Sequence, residues 1–272
     1  MQYVKMQNVN TNKMQKHKIS FINVVGAGLA GCEAAFTIAN QGVKVKLWEM
    51  RPHKNTPVHT TSNFAELVCS NSLKSLLPDT AQGLLKAEMK MLDSLLLQVA
   101  EVTKVPAGSA LAVDRHLFSD LVTRKINGHP LIEVIREEIV TLKEDEIYVI
   151  ATGPLTSDYL ADYINTITGE EALSFFDAIA PSLTYESLDK SKIFKASRYG
   201  KGSDDYLNCP FTKGEYEIFY HELIKADVFA GHDIDKKYFN ACMPIEIMAA
   251  KGIDTLRFGP MRPVGLKDIR YE

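Results

Sequence analysis

The chain has 272 residues and a formal net charge of −3, with 46% hydrophobic and 24% charged residues. That length suits one or two domains with a sizeable core, and the small net charge leaves any contact with nucleic acid to a local patch. No apolar run approaches the about 18 residues that a membrane span needs, no secretory segment precedes the first strand, and four cysteines without a C-x-x-C pair suit a reducing compartment. A cytoplasmic protein without membrane or metal is expected.

Residues 1–19 are rich in Gln, Asn, Lys and Met and lack the period of a helix or strand. They are expected to lie outside the fold, as a disordered tail or through an over-called start, since Met6 and Met14 follow. The first strand is expected at Phe21–Val25, running into Gly26-Ala-Gly-Leu-Ala-Gly31 and an Ala-rich helix over Cys32–Ala39. A second apolar run, Val43–Trp48, ends at Glu49. This is the strand–turn–helix–strand context in which G-x-G-x-x-G signals a dinucleotide.

Gly26 permits the tight turn, Gly28 lets backbone approach a pyrophosphate, and Gly31 lets helix and strand pack closely. Ala27, Leu29 and Ala30 complete the loop, and the helix N-terminus offers N–H groups to the phosphates. Glu49, about 20 residues beyond the last glycine, is placed to accept from a ribose hydroxyl. Its charge would repel a 2′-phosphate, which favours NAD or FAD over NADP.

Arg51–Ser62 reads as a loop, and residues 64–77 as a short helix or a turn. From Gln82 to Val99 apolar residues including Leu84, Leu85, Met89, Leu92, Leu95 and Leu96 recur at helical spacing, predicting one helix. A strand is expected over Gly108–Val113, then a helix over Asp114–Asn127 with Leu117, Phe118, Leu121 and Val122 inward. Further strands are expected at Leu131–Ile135 and Ile139–Leu142. A buried one is expected at Ile147–Gly153, ending Ala-Thr-Gly.

Such an ending looks like the closing strand of two-dinucleotide-binding-domain flavoproteins, in which Gly153 would lie close to FAD. On that likeness FAD is preferred to NAD as the tightly held cofactor. The other reading is an ordinary core strand leading into a Gly-Pro turn. From about residue 156 the clean alternation of strand and helix disappears. Helices are expected at 170–178, at 215–226 with Tyr216, Phe219, Tyr220 and Leu223 on one side, and in a stretch at 238–251 interrupted by Pro244.

Several segments then resemble one family in order. The glycine turn is joined by Trp48-Glu-Met-Arg-Pro52, Ala65-Glu-Leu-Val-Cys-Ser-Asn-Ser-Leu-Lys74, Ala151-Thr-Gly-Pro-Leu-Thr-Ser157 and Ser197-Arg-Tyr-Gly-Lys-Gly202. Asn208-Cys-Pro210, Cys242-Met-Pro-Ile-Glu246 and Leu256-Arg-Phe-Gly-Pro-Met-Arg-Pro-Val-Gly-Leu266 continue the series. Together they resemble the TrmFO family of folate- and FAD-dependent tRNA (uracil-5-)-methyltransferases. A related family that modifies the tRNA wobble position fits the Cys-Met-Pro-Ile-Glu context poorly.

The resemblance implies transfer of a carbon from methylenetetrahydrofolate to C5 of a T-loop uridine, with reduced FAD as reductant, replenished by NADH or NADPH. Uracil C5 becomes nucleophilic when a thiolate adds to C6. Cys242 matches the family's proposed nucleophile, and Cys69 a cysteine thought to assist proton transfer or to protect the flavin adduct. Read without the family, each is a small core residue. Cys32 and Cys209 read as structural.

Lys190, Lys192, Lys195, Arg198 and Lys201 cluster with Phe194 and Tyr199, so phosphate neutralisation and base stacking on RNA are one reading and a solvated loop is the other. Arg257 and Arg262 are further candidates. The implied fold is α/β, an FAD-binding Rossmann-type domain over residues 20–155 with a smaller α+β insertion domain over 156–272. It would be truncated at its C-terminus, because family members continue further. A separate C-terminal chain could supply the remainder. The same chemistry on ribosomal RNA, or a truncated FAD-binding remnant without catalysis, are the alternatives.

Overall fold

The structure, a computed structural model, describes residues 20–169, 183–227, 245–262 and 264–268. The first part of the chain forms β1 (Ile22–Val25), α1 (Leu29–Asn40), β2 (Val45–Trp48), β3 (Ser72–Ser75), α2 (Ala81–Met91), α3 (Leu95–Val102), β4 (Lys104–Val105), β5 (Ala110–Val113) and α4 (Arg115–Asn127). Then follow β6 (Ile132–Ile135), β7 (Tyr148–Ile150), α5 (Asp158–Thr168), β8 (Phe194–Lys195), β9 (Leu207–Asn208), α6 (Lys213–Lys225), α7 (Ile245–Ala249) and α8 (Ile253–Phe258).

Four strands form a parallel sheet in the order β6-β2-β1-β7, with Val24 in register between Leu47 and Val149. The chain leaves β1 toward β2 on one side and later places β7 on the other. Strand order therefore reverses between β1 and β7, the position at which open α/β sheets take ligands beyond their carboxyl ends. α1 packs through small residues, Gly31, Cys32, Ala35 and Ala39, all buried. β3, β5 and β4 form an antiparallel sheet that shares its core with the parallel one, through Phe64, Leu95, Val99, Val113, Phe118 and Val122. Asn23, fully buried in the middle of β1, is satisfied by Trp48 Nε1 (2.9 Å) and Glu146 (2.8 Å), as a buried amide must be.

A second, smaller cluster gathers Tyr220 of α6, Ala249 of α7 and Leu256 of α8, with Tyr216, Phe219 and Leu223 against it. The side of α6 expected to face inward does so. Its start is set by a reciprocal capping box between Thr212 and Glu215.

Several expectations are corrected. The single helix expected over 82–99 is two, because Asp93 adopts a left-handed φ of +56° and Ser94 caps a fresh start. Glu33 of α1 completes that start by accepting from Ser94 Oγ and from the N–H groups of Leu95 and Leu96 at 2.9–3.0 Å. The break gives the apolar period two fates: Leu95 and Leu96 are buried, whereas Leu84, Leu85 and Leu92 face solvent. Over residues 64–71 the turn alternative holds and the helix does not, and β3 follows. Ile139–Leu142 forms no strand. Leu117 of α4 is exposed, although Phe118 and Val122 are buried as expected. The strand expected to be buried at 147–153 is shorter and lies at the sheet edge, with Ile147 and Ile150 substantially exposed. Residues 170–178 lie outside the described residues. So does the part of the 238–251 stretch before α7.

Candidate functional site

The three glycines of the turn face different demands. Gly26 has φ +94°, and a Cβ there would sit 2.8 Å from the Ala151 carbonyl oxygen. A Cβ on Gly31 would fall 1.7 Å from the Gly26 oxygen, so α1 could not approach the turn. Gly28 has an ordinary φ of −71°, and a Cβ would meet nothing within 4 Å. Protein packing therefore explains the first and third glycines but not the second, whose bareness leaves open backbone. α1 begins at this point with no side-chain cap and no acidic residue in its first turn. Open backbone at an uncapped helix start fits a diphosphate group.

A pocket opens beside the turn, between the ends of β1 and β7. It is lined by Gly26, Ala27, Gly28 and Glu49 from one side and by Ala151, Thr152, Ser157 and Leu160 from the other. Glu49 is only 6% exposed and is heavily engaged. Its Oε2 accepts from the Ala27 N–H at 3.0 Å, and its Oε1 from the N–H and Nε of Arg51 at 3.1 and 3.0 Å. Burial pushes the Glu49 carboxyl up, but the Arg51 guanidinium and these backbone donors outweigh it and hold the group below the usual carboxylate range.

Arg51, 2% exposed, also reaches Glu66 at 3.0 Å. Glu66 in turn gathers the N–H and hydroxyl groups of Thr60 and Thr61. Arg136 donates to the carbonyls of Arg51 and Ser62 and lies 4.2 Å over the Phe64 ring. The loop after β2 is thereby folded over the pocket, bringing Thr56 and His59 to its wall. Burial and the nearby Arg51 charge lower the His59 pKa, which favours a neutral ring.

Sequence reasoning singled out Glu49 and missed Arg51, Glu66, Thr56 and His59. A basic residue two positions past the acidic end of a strand was the available signal for Arg51. Glu66 carried none, since its partners come from five to fifteen positions away.

The other expected residues are distributed unevenly. Leu29, Ala30 and Gly31 form the first turn of α1 and do not line the pocket. Gly153, at φ +65°, follows two lining residues without lining it. Cys69 is exposed and outside the pocket wall, whereas Cys242 lies outside the described residues. Cys32 is fully buried, and burial together with the Glu49 charge pushes its thiol up to about 12, which suits the structural role expected. Cys209 is exposed. Lys190, Lys192, Lys195, Arg198 and Lys201 are all exposed. Asp204 and Asp205 among them turn back on the N–H groups of Ser197 and Gly108. Among the described residues no helix is long and apolar enough to cross a membrane, and no cluster of His, Cys, Asp and Glu could hold a metal.

A parallel sheet with a glycine turn at its reversal point, an uncapped helix start and an acidic end to β2 defines a Rossmann-type dinucleotide-binding α/β protein. The sequence narrows this further: residues 21–272 match the model of the glucose inhibited division protein A family, and the chain belongs to that family. It is similar to the methylenetetrahydrofolate--tRNA-(uracil-5-)-methyltransferase TrmFO of Syntrophomonas wolfei, 61% identical over 90% of this chain and 57% of the relative. Proteins of the same name from Aquifex aeolicus and Lactococcus lactis are each 56% identical, over 91% and 92% of this chain and 56% of their own lengths. The chain thus spans a little over half the length of the curated relatives it matches. A solved Aquifex aeolicus GidA overlays 46% of this chain and 21% of its own, at 16% identity and a TM-score of 0.37.

Proposed function

We propose that the chain carries the nucleotide-binding and part of the catalytic apparatus of a cytoplasmic folate-dependent tRNA (uracil-5-)-methyltransferase. The observation that carries this reading is the 61% identity to a relative of that name over 90% of the chain. The glycine turn supplies its structural support. In this reading FAD is the resident cofactor, and the Gly28 backbone and the first N–H groups of α1 would hold its diphosphate. Glu49 both fixes the Ala27 N–H and offers its remaining Oε2 lone pair to a ribose hydroxyl. That lone pair is now shared with a longer contact to Arg51 Nη2 at 3.4 Å.

Reduced FAD, kept reduced by NADH or NADPH, supplies the reducing equivalent that turns a transferred methylene into a methyl group. Cys242 Sγ adds to uracil C6, placing the electron pair on C5, which forms the new bond to the one-carbon unit of methylenetetrahydrofolate. Cys69 removes the C5 proton as the carbon–nitrogen bond to the folate breaks and tetrahydrofolate leaves. Reduction of the resulting exocyclic methylene with loss of the Cys242 thiolate gives the methyl group and restores the C5–C6 double bond. Lys190, Lys192, Lys195, Arg198 and Lys201 neutralise phosphates of the RNA.

The test incubates the chain with a T-loop tRNA transcript, methylenetetrahydrofolate labelled in its transferable carbon, FAD and NADPH. Digested nucleosides are then analysed by mass spectrometry. Labelled 5-methyluridine in the tRNA that disappears in Cys242→Ser supports the reading. Flavin bound without product would reduce the proposal to a cofactor-binding segment, and label in a ribosomal RNA transcript assayed in parallel, with none in the tRNA, would change the substrate.

A further inference from the structure

A second cleft, of about 830 Å³, lies away from the glycine turn, between the β8–β9 segment, the start of α6 and the end of α8. Its volume falls in the range of small-ligand sites, about 300–1,000 Å³. The described residues around it combine two chemistries. Phe258 is 65% exposed and Phe211 46%, with Phe211 stacked on Phe219 at 5.2 Å behind it. Rings this large normally cover their faces, so the surface each leaves exposed in one cleft is available for stacking. Beside them stand Arg198, Arg257 and Arg262, with Lys213 at the rim and Asp268 as the one acidic residue of the lining.

Two of the arginines, Arg198 and Arg257, have fixed partners. Arg198 donates to the Arg262 carbonyl at 3.1 Å, so the two arginine-bearing loops are tied together. The guanidinium of Arg257 lies 4.6 Å over the Phe258 ring and is oriented by Asp254 at 2.6 Å. A flat π-face bordered by guanidinium groups matches one molecular fragment well: an aromatic base joined to a phosphate. An acidic peptide would satisfy the arginines and leave the rings unused. An apolar partner would bury the rings and strand the charges at a cost.

We propose that this cleft seats one unpaired nucleotide of the RNA substrate, its base against Phe258 and Phe211 and its phosphate among Arg198, Arg257 and Arg262. This rests on the RNA-directed reading above and adds a base-binding position to it. Such a position would grip a splayed-out loop nucleotide, which is how single-stranded RNA is usually recognised.

The experiment measures binding of fluorescein-labelled hexauridylate, and of a base-free oligomer with the same number of phosphates, by anisotropy across salt concentrations. Phe258→Ala, at an exposed position, is expected to keep its thermal midpoint, to weaken hexauridylate binding about tenfold and to leave the base-free oligomer unchanged. Arg262→Ala should weaken both ligands and lower the salt slope by about one. Because Cys209 lines the cleft and is exposed, hexauridylate should also slow its alkylation by N-ethylmaleimide, read by peptide mass.

The proposal falls if Phe258→Ala binds hexauridylate as the unaltered chain does. It also falls if the base-free oligomer binds the unaltered chain as tightly as hexauridylate. If in either case the double variant Lys190→Ala/Lys192→Ala still weakens RNA binding, only the cleft is refuted. If the unaltered chain binds no RNA at all, the broader reading fails along with it.

Discussion

At the scale of single residues, the glycine turn makes a contrast that binding and folding report separately. Gly28→Ala adds a methyl group into open space at an ordinary φ, so stability should change by no more than about 0.5 kcal/mol while FAD affinity drops. Gly31→Ala drives a Cβ into the Gly26 carbonyl and should cost about 3 kcal/mol or more, visible as a lower urea midpoint before any ligand is added. Equal stability losses in both variants would contradict the geometry.

Glu49 tests the buried network. Glu49→Gln leaves Arg51 with Glu66 as its remaining carboxylate and should cost about 3 kcal/mol at neutral pH. The Glu49 carboxyl is held below its ordinary value in the fold, so its contribution is complete above the unfolded value of about 4.3 and is lost as pH falls through the folded one. The gap in urea midpoint between the unaltered chain and Glu49→Gln should therefore be constant from pH 7 to 5 and narrow below about pH 4. A gap that persists undiminished at pH 3 would rule out the linkage.

At the scale of elements, helix α3 starts under the control of a residue 61 positions earlier. Glu33 satisfies the Ser94 hydroxyl and the Leu95 and Leu96 N–H groups, tasks usually left to a local cap. Glu33→Ala should cost about 2 kcal/mol. It should also raise amide hydrogen exchange selectively at residues 94–97, whereas unchanged exchange there would assign the start of α3 to Ser94 alone. The same break explains why periodicity misled over 82–99. Leu84, Leu92 and Leu96 all fit a helical period, but the turn at Asp93 points the two halves of that pattern at different surroundings. α6, by contrast, was readable in its inward side, because Tyr216, Phe219, Tyr220 and Leu223 lie within one uninterrupted helix, although it begins at Lys213, two residues before the expected start.

At the scale of the whole molecule, the notable property is where apolar surface remains. Leu84, Leu85, Met91 and Leu92 on and after α2 are 53–85% exposed, and β7 leaves Ile147 and Ile150 open at the sheet edge. Exposed apolar side chains contribute little to stability and much to association. Leu84→Gln/Leu92→Lys should therefore leave the unfolding free energy within about 0.5 kcal/mol, read by urea titration, while lowering light scattering at high protein concentration. A large loss of stability would mean that these residues are buried. The strand–turn–helix–strand unit, Glu49 and the family were all legible along the chain, because each depends on spacings within a few tens of residues. Arg51 facing Glu66, Glu33 at the start of α3, Ile150 at an edge and the cleft between Phe211 and Phe258 were decided only in three dimensions. The backbone's short-range periods dictate which elements form, but burial and charge pairing depend on which distant side chains the folded topology brings within a few ångströms.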